Sequence, residues 1–198
     1  MRKLFRKIAY SKFATRLLTA FCGIFYDKKY LAGKFFETKR IGFVWCLASL
    51  ARLPVMRCQH IWFPIGKNTS VLGGENIHFH PNSINVFQQP GCYFKAFAPI
   101  SIGKDVWIAQ NVGIITANHD LCNPEEHCTG KPVSIGDYCW IGMNSVVLPG
   151  VVLGNHTIVG AGSVVTKSFP EGNVVIAGNP AKIIKYLPSN TKDKEGLD

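Results

Sequence analysis

Residues Ile135–Val165 read IGDYCWIGMNSVVLPGVVLGNHTIVGAGSVV. Within this stretch Ile135, Ile141, Val147, Leu153, Val159 and Val165 recur at an interval of six residues every time. The next residue is usually small (Gly136, Gly142, Gly154, Gly160), and the one four places on is small or β-branched (Ser145, Val151, Thr157, Ser163). An amphipathic helix spaces apolar residues three and four apart and an ordinary strand every two, so neither gives this period. A short strand followed by a tight turn does: one aliphatic side chain per unit points inward, and the small partner lets the backbone bend. Three such units close a triangular coil, and stacked coils align the aliphatic residues into columns that no single coil buries alone. The expectation is a mainly β, parallel β-helix. The same period marks Ile102, Ile108 and Ile114, and before them Ile65, Val71 and Ile77.

Between Ile114 and Ile135 the gap is 21 residues, which is no multiple of six. An inserted loop over about 117–132 is predicted, and it carries Asn118, His119, Asp120, Cys122, Glu125, Glu126, His127 and Cys128. Long loops on rigid repeats concentrate function, so this loop is the candidate site. Its His and Cys residues superficially suggest zinc, but the spacing lacks the paired Cys-x2-Cys or His-x3-His pattern of such centres, and no metal is expected.

The 198-residue chain is 47% hydrophobic with 19 Gly and 11 Pro, which excludes disorder and disfavours a helical bundle. Its net charge of +10 is confined to one region. Residues 1–60 hold 13 Lys/Arg against Asp27 and Glu37 (+11), whereas residues 61–198 hold 9 against 10 (−1). A nucleic-acid partner is therefore not indicated. The chain divides into a basic amphipathic helical segment (1–60), a β-helical domain carrying the inserted loop (61–187) and a flexible tail (188–198). In the first segment Leu4, Phe5, Ile8, Leu17, Leu18, Phe21, Ile24 and Phe25 approximate one apolar helical face, with Lys3, Arg6, Lys7, Lys12 and Arg16 around it. Two readings stay open: a helix lying on an anionic membrane, or one that caps the solenoid or contacts another subunit. The run Ile41–Ala51, closed by Arg52 and Pro54, is shorter than the roughly 20 residues of a membrane span, so no transmembrane helix is expected. No signal-peptide cleavage site is evident. Seven scattered cysteines without disulfide spacing fit a reducing cytoplasm. Near the end, Ile183, Ile184 and Tyr186 suggest a short C-terminal helix.

Several segments together resemble the hexapeptide-repeat acetyltransferases: Ile102–Ile108 (IGKDVWI), Ala117–Asp120 (ANHD), Ile135–Gly142 (IGDYCWIG), Val159–Lys167 (VGAGSVVTK) and Ala177–Lys182 (AGNPAK). The resemblance spans about residues 61–187 and is strongest to sugar O-acetyltransferases: those acting on maltose and galactosides, the nodulation enzymes, and those decorating colanic acid and capsular glycans. It implies a left-handed coil, a homotrimer with active sites between subunits, and acetyl-CoA as the acetyl donor. It also implies that His119 is catalytic. Acetyl-CoA would meet main-chain groups of Met143 and Ala161, then Thr166 and Lys167, with Lys182 at a phosphate. Asn85 and Asn118 would face the acceptor.

The chemistry requires such residues. A sugar hydroxyl is too weak an acid to attack a thioester unaided, so a base must take its proton, and histidine is suited to it. The resulting oxyanion needs preorganised donors, for which the Trp140–Met143 turn is the candidate. Direct transfer is expected, with no acyl-enzyme. Asp120, Asn118, Glu125 or a backbone carbonyl would hold the other ring nitrogen of His119, with Asp120 the first choice. The runner-up function is acetylation of an amino sugar or antibiotic, as in the xenobiotic acetyltransferases. A zinc carbonic anhydrase on the same fold and a non-catalytic assembly module are the remaining readings, and the motifs around Trp140, His119 and Lys167 oppose both.

Overall fold

A computed structural model describes residues 12–188. From residue 70 onward the chain winds through short strands: β1 (Ser70–Leu72), β2 (Ile77–Phe79), β3 (Tyr93–Lys95), β4 (Ile100–Ile102), β5 (Trp107–Ile108), β6 (Gly113–Ile115) and β7 (Val133–Ile135). It continues through β8 (Trp140–Ile141), β9 (Val146–Val147), β10 (Val152–Leu153), β11 (Thr157–Val159), β12 (Val164–Val165), β13 (Val174–Gly178) and β14 (Ala181–Tyr186). They form three sheets, β1-β3-β6-β9-β12, β2-β4-β7-β10 and β5-β8-β11-β13-β14, which are the first, second and third faces of a prism. Successive strands visit the faces in turn, and each pairs in parallel with the strand one coil away. The period-six residues stack accordingly: Ile102 on Ile135 on Leu153, Ile108 on Ile141 on Val159, Ile114 on Val147 on Val165. All are buried, and so are Ser145, Val151, Thr157 and Ser163 between them. The buried hydroxyls are satisfied: Ser145 and Ser163 donate to the Gly160 carbonyl (2.9 and 2.6 Å), and Thr157 to Gly154 (2.7 Å).

The glycine after each aliphatic residue has a different role from the one expected. Left-handed backbone falls two positions later, at Asp105, Asn111, Tyr138, Asn144, Gly150, His156 and Gly162. The glycines are small because the next coil's backbone presses on them. A Cβ on Gly142 would stand 2.6 Å from the Ala161 nitrogen, and one on Gly136 2.7 Å from that of Asn155.

Residues before the coils form α1 (Lys12–Cys22), α2 (Lys34–Glu37), α3 (Ile41–Ser49) and α4 (Leu53–Cys58). They close one end of the prism. Tyr30 stacks on Phe79 (4.2 Å), and Phe63, Phe87 and Phe94 continue the ring cluster into the first coils. A 3-10 stretch, Pro81–Gln88, takes the place of a strand on the third face, and α2 sits beside it: the Lys34 N–H donates to Asn82 Oδ1 (3.0 Å) and its ammonium pairs with Asp105. Residues 12–60 thus cap the solenoid; Leu4, Phe5 and Ile8 lie outside the described residues, as does the tail from 189 onward.

The short C-terminal helix does not form. Ile183, Ile184 and Tyr186 belong to β14, which pairs antiparallel with β13 in a hairpin. The last coil leaves β13 with one edge of unpaired main-chain groups, and β-branched residues after the Asn179–Pro180 reversal fill it more favourably than a helix would.

Candidate active site

The inserted loop leaves β6 and returns to β7 as a small hairpin of its own. The Lys131 N–H donates to the Thr116 carbonyl (2.7 Å), closing its base, and the Val133 N–H donates to Pro99 (2.9 Å), returning the chain to the ladder with the preceding coil. Above this the Cys128 N–H donates to Asn118 and the Asp120 N–H to Glu126 (both 2.9 Å), with His119 and His127 directly opposite.

His119 is exposed, and its Nδ1 lies 2.6 Å from the Pro124 carbonyl. A carbonyl only accepts, so Nδ1 carries the proton and Nε2 keeps a free lone pair. The orienting group is therefore main chain, and Asp120 does not hold the ring. Its Oδ1 instead accepts the N–H groups of Cys122 (2.8 Å) and Asn123 (3.0 Å), which hold the carboxyl below its ordinary range. Adjacent residues on a β-like strand point to opposite sides, which is why the neighbouring side chain cannot serve.

A second histidine was not assigned a role from sequence. The His127 ring packs 4.2 Å from that of His119, tilted by 36°, and meets Phe97 edge-on at 5.3 Å on its other side. Partial desolvation beside these rings, then the charge of Lys95, then His119 push its titration below the ordinary 6.5. Lys95 is almost fully buried at the end of β3, with its ammonium 4.8 Å from the Phe97 ring. Nothing in the local sequence YFK marks it.

Beside the loop runs a groove of about 320 Å³ lined by Asn118, Cys128, Thr129, Lys131, Leu148, Pro149 and Thr166. It follows the edge between the first and second faces and brings Asn118 and Thr166 together, with exposed Lys167 next in the chain. Met143 and Ala161 lie elsewhere. They occupy adjacent turns on the edge between the third and first faces, where the Gly162 N–H donates to the Met143 carbonyl (2.8 Å). Lys182 pairs with Ala177 on β14 of the third face. A strand of the first face separates the edges by roughly 16 Å, from Met143 to Leu148 at about 3.3 Å per residue. One chain thus does not bring the expected donor-binding residues into one place. Nor does it bring Asn85 to His119: Asn85 is buried, donates to the Val106 carbonyl (3.3 Å), and leaves Oδ1 without a partner. Of the Trp140–Met143 turn, the Gly142 N–H is spent on Val159 (2.8 Å), so exposed Met143 is the donor it presents. All seven cysteines are free, and among the described residues no group of three or more His, Cys, Asp or Glu is placed to hold a metal.

Residues 132–167 match the model for the bacterial transferase hexapeptide (six repeats). A protein of Dictyostelium discoideum provisionally named an acetyltransferase is 47% identical over 82 residues, 39% of this chain and 41% of the relative. The chain spans about two fifths of the length of such curated relatives. A hexapeptide-repeat acetyltransferase of Vibrio cholerae, solved with acetyl coenzyme A, superposes with a TM-score of 0.54 at 28% identity, covering 63% of this chain and 67% of that one. A maltose O-acetyltransferase of Clostridium difficile superposes at 0.52 with 27% identity, over 91% of each chain. By repeat, by motif and by superposition, the chain folds as a hexapeptide-repeat left-handed β-helix, and the proteins it is similar to are acetyltransferases built on that fold.

Proposed function

We propose that this chain transfers an acetyl group from acetyl-CoA to a hydroxyl of a sugar or glycan precursor, in the cytoplasm where that donor is made. The observation that carries the reading is the ring of exposed His119 fixed through Nδ1 to a carbonyl, which leaves Nε2 as its basic nitrogen. His119 Nε2 takes the hydroxyl proton as the sugar oxygen bonds to the thioester carbon. The Met143 N–H is the candidate donor to the oxyanion so formed. Collapse breaks the C–S bond, and the imidazolium returns its proton to the departing thiolate. No residue is acylated.

The residues present fit the donor. Lys131, Lys167 and Lys182 are exposed cations in a domain of near-zero net charge, suited to phosphates, and the groove beside Asn118 and Thr166 suits a narrow chain. Because those groups fall on two edges of one face, we propose that a neighbouring copy completes each site, as a homotrimer does. The acetyl-CoA complex of the Vibrio relative supports the donor, and the maltose enzyme supports a sugar acceptor.

The test is release of free CoA thiol by the purified chain across a panel of sugars. His119→Ala is expected to lower transfer by about 10²-fold or more while leaving acetyl-CoA affinity unchanged. A fall of less than about tenfold overturns the assignment of the base.

A further inference from the structure

The helical cap is apolar on two sides. On α3 and α4, Gly42, Phe43, Cys46 and Met56 are buried against the rest of the molecule. A helix that only caps a solenoid turns polar residues outward, yet Ile41, Val44 (60% exposed), Leu47 and Val55 (62%) face solvent here. On α1 and the turn after it, Phe13 (76%), Leu17 (64%), Phe21 and Ile24 (71%) recur at intervals of four, four and three, which is one helical stripe. Ile24 shares a shallow groove with exposed Trp62, whose ring carries the Arg57 guanidinium at 3.9 Å. An indole at the border of an apolar patch is suited to the boundary between lipid and water.

The charge around this surface indicates what covers it. Residues 1–60 carry 13 Lys/Arg and only two acids, and Arg16 on α1 and Lys28 just after it are exposed. An apolar strip rimmed by cations with almost no acidic counterpart complements an anionic lipid surface.

We propose that the helical cap docks this protein on an anionic bilayer, with Phe13, Leu17, Phe21, Ile24 and Trp62 at the lipid boundary and the α3–α4 stripe beside them. The 18-residue stretch Ile41–Cys58 is long and apolar enough to cross a membrane by length and composition, beyond what the run Ile41–Ala51 suggested. Its contacts favour lying on the surface. Arg52 donates to the Gly66 and Thr69 carbonyls and Arg57 to those of Phe25 and Ile61, which ties the C-terminal part of the stretch to the start of the solenoid and to the turn after α1. The docking does not depend on the chemistry at His119.

Co-sedimentation of the full chain with phosphatidylcholine vesicles, with and without about 30 mol% phosphatidylglycerol, tests it. Wild type is expected to pellet only with the anionic vesicles and to be released by about 0.5 M salt. Leu17→Glu/Ile24→Glu should weaken partitioning at least tenfold, and Arg16→Glu by roughly fivefold. Circular dichroism and thiol release with a soluble sugar would show each variant folded. Val44→Glu/Leu47→Glu provides a second variant should the first fail to fold. Wild type that stays in the supernatant, or variants that pellet as wild type does, would overturn the proposal. So would a Leu17→Glu/Ile24→Glu variant that changes oligomeric state in gel filtration while neither protein binds vesicles, since the stripe would then be covered by a second copy.

Discussion

The coils and the loop inserted between them use their residues in opposite ways. In a coil each inward side chain touches its equivalents one coil above and below, and even the glycines are fixed by the neighbouring backbone. From Leu121 to Thr129 the loop is exposed throughout, and most of its hydrogen bonds run between its own residues. The first arrangement makes sequence unforgiving and chemically inert. The second leaves side chains free to react while a few main-chain bonds fix their direction. Reactivity can thus be placed on a solenoid without disturbing what holds it together.

The largest expected effect is on rate alone: His119→Ala should lose about 10²-fold or more in transfer and keep its melting temperature within about 2 °C. A large loss of stability would mean that the loop is part of the core. Ile141→Ala is the mirror image. It empties a site between Ile108 and Val159 and should cost about 2–5 kcal/mol in urea unfolding, with turnover per folded molecule intact.

Gly142→Ala probes where the two regimes meet. Its new methyl would press on the Ala161 backbone, at a cost of about 1–3 kcal/mol, and would also shift the Met143 N–H. Both unfolding free energy and kcat should fall; loss of stability alone would remove Met143 from the oxyanion role. The smallest effect belongs to His127. Its folded-state titration lies below 6.5, so the unfolded chain binds that proton first, and stability declines as pH falls through about 6.5 until the folded ring itself protonates. His127→Gln should flatten the fall of melting temperature between about pH 7 and 5. An unchanged slope would show that Lys95 and His119 do not disfavour its charge.

The columns were legible because a period of six is itself local geometry, repeated often enough to be read. The loop was legible as a break in that period, and His119 as the histidine of a motif within it. What holds His119 was not, because Pro124 contributes a carbonyl, and a carbonyl has no residue type to read. The separation of Met143 from Thr166 was equally hidden. In sequence they lie four six-residue repeats apart, and only closure of the coil puts them on different edges. The left-handed turn at Tyr138 escaped for another reason: tyrosine is not a residue that announces such backbone.

The reversal at Pro180 has a consequence for assembly. A stack of parallel coils has no intrinsic length, and its last strand is a template on which another chain's first strand can continue. Strand β14 runs the other way along β13 and presents Lys182 and Lys185 outward, so on that face a further parallel strand finds neither matching direction nor a neutral edge. With aromatic side chains closing the far end, the rod has a fixed length. End-to-end continuation of that sheet by another chain's parallel strand is thereby disfavoured.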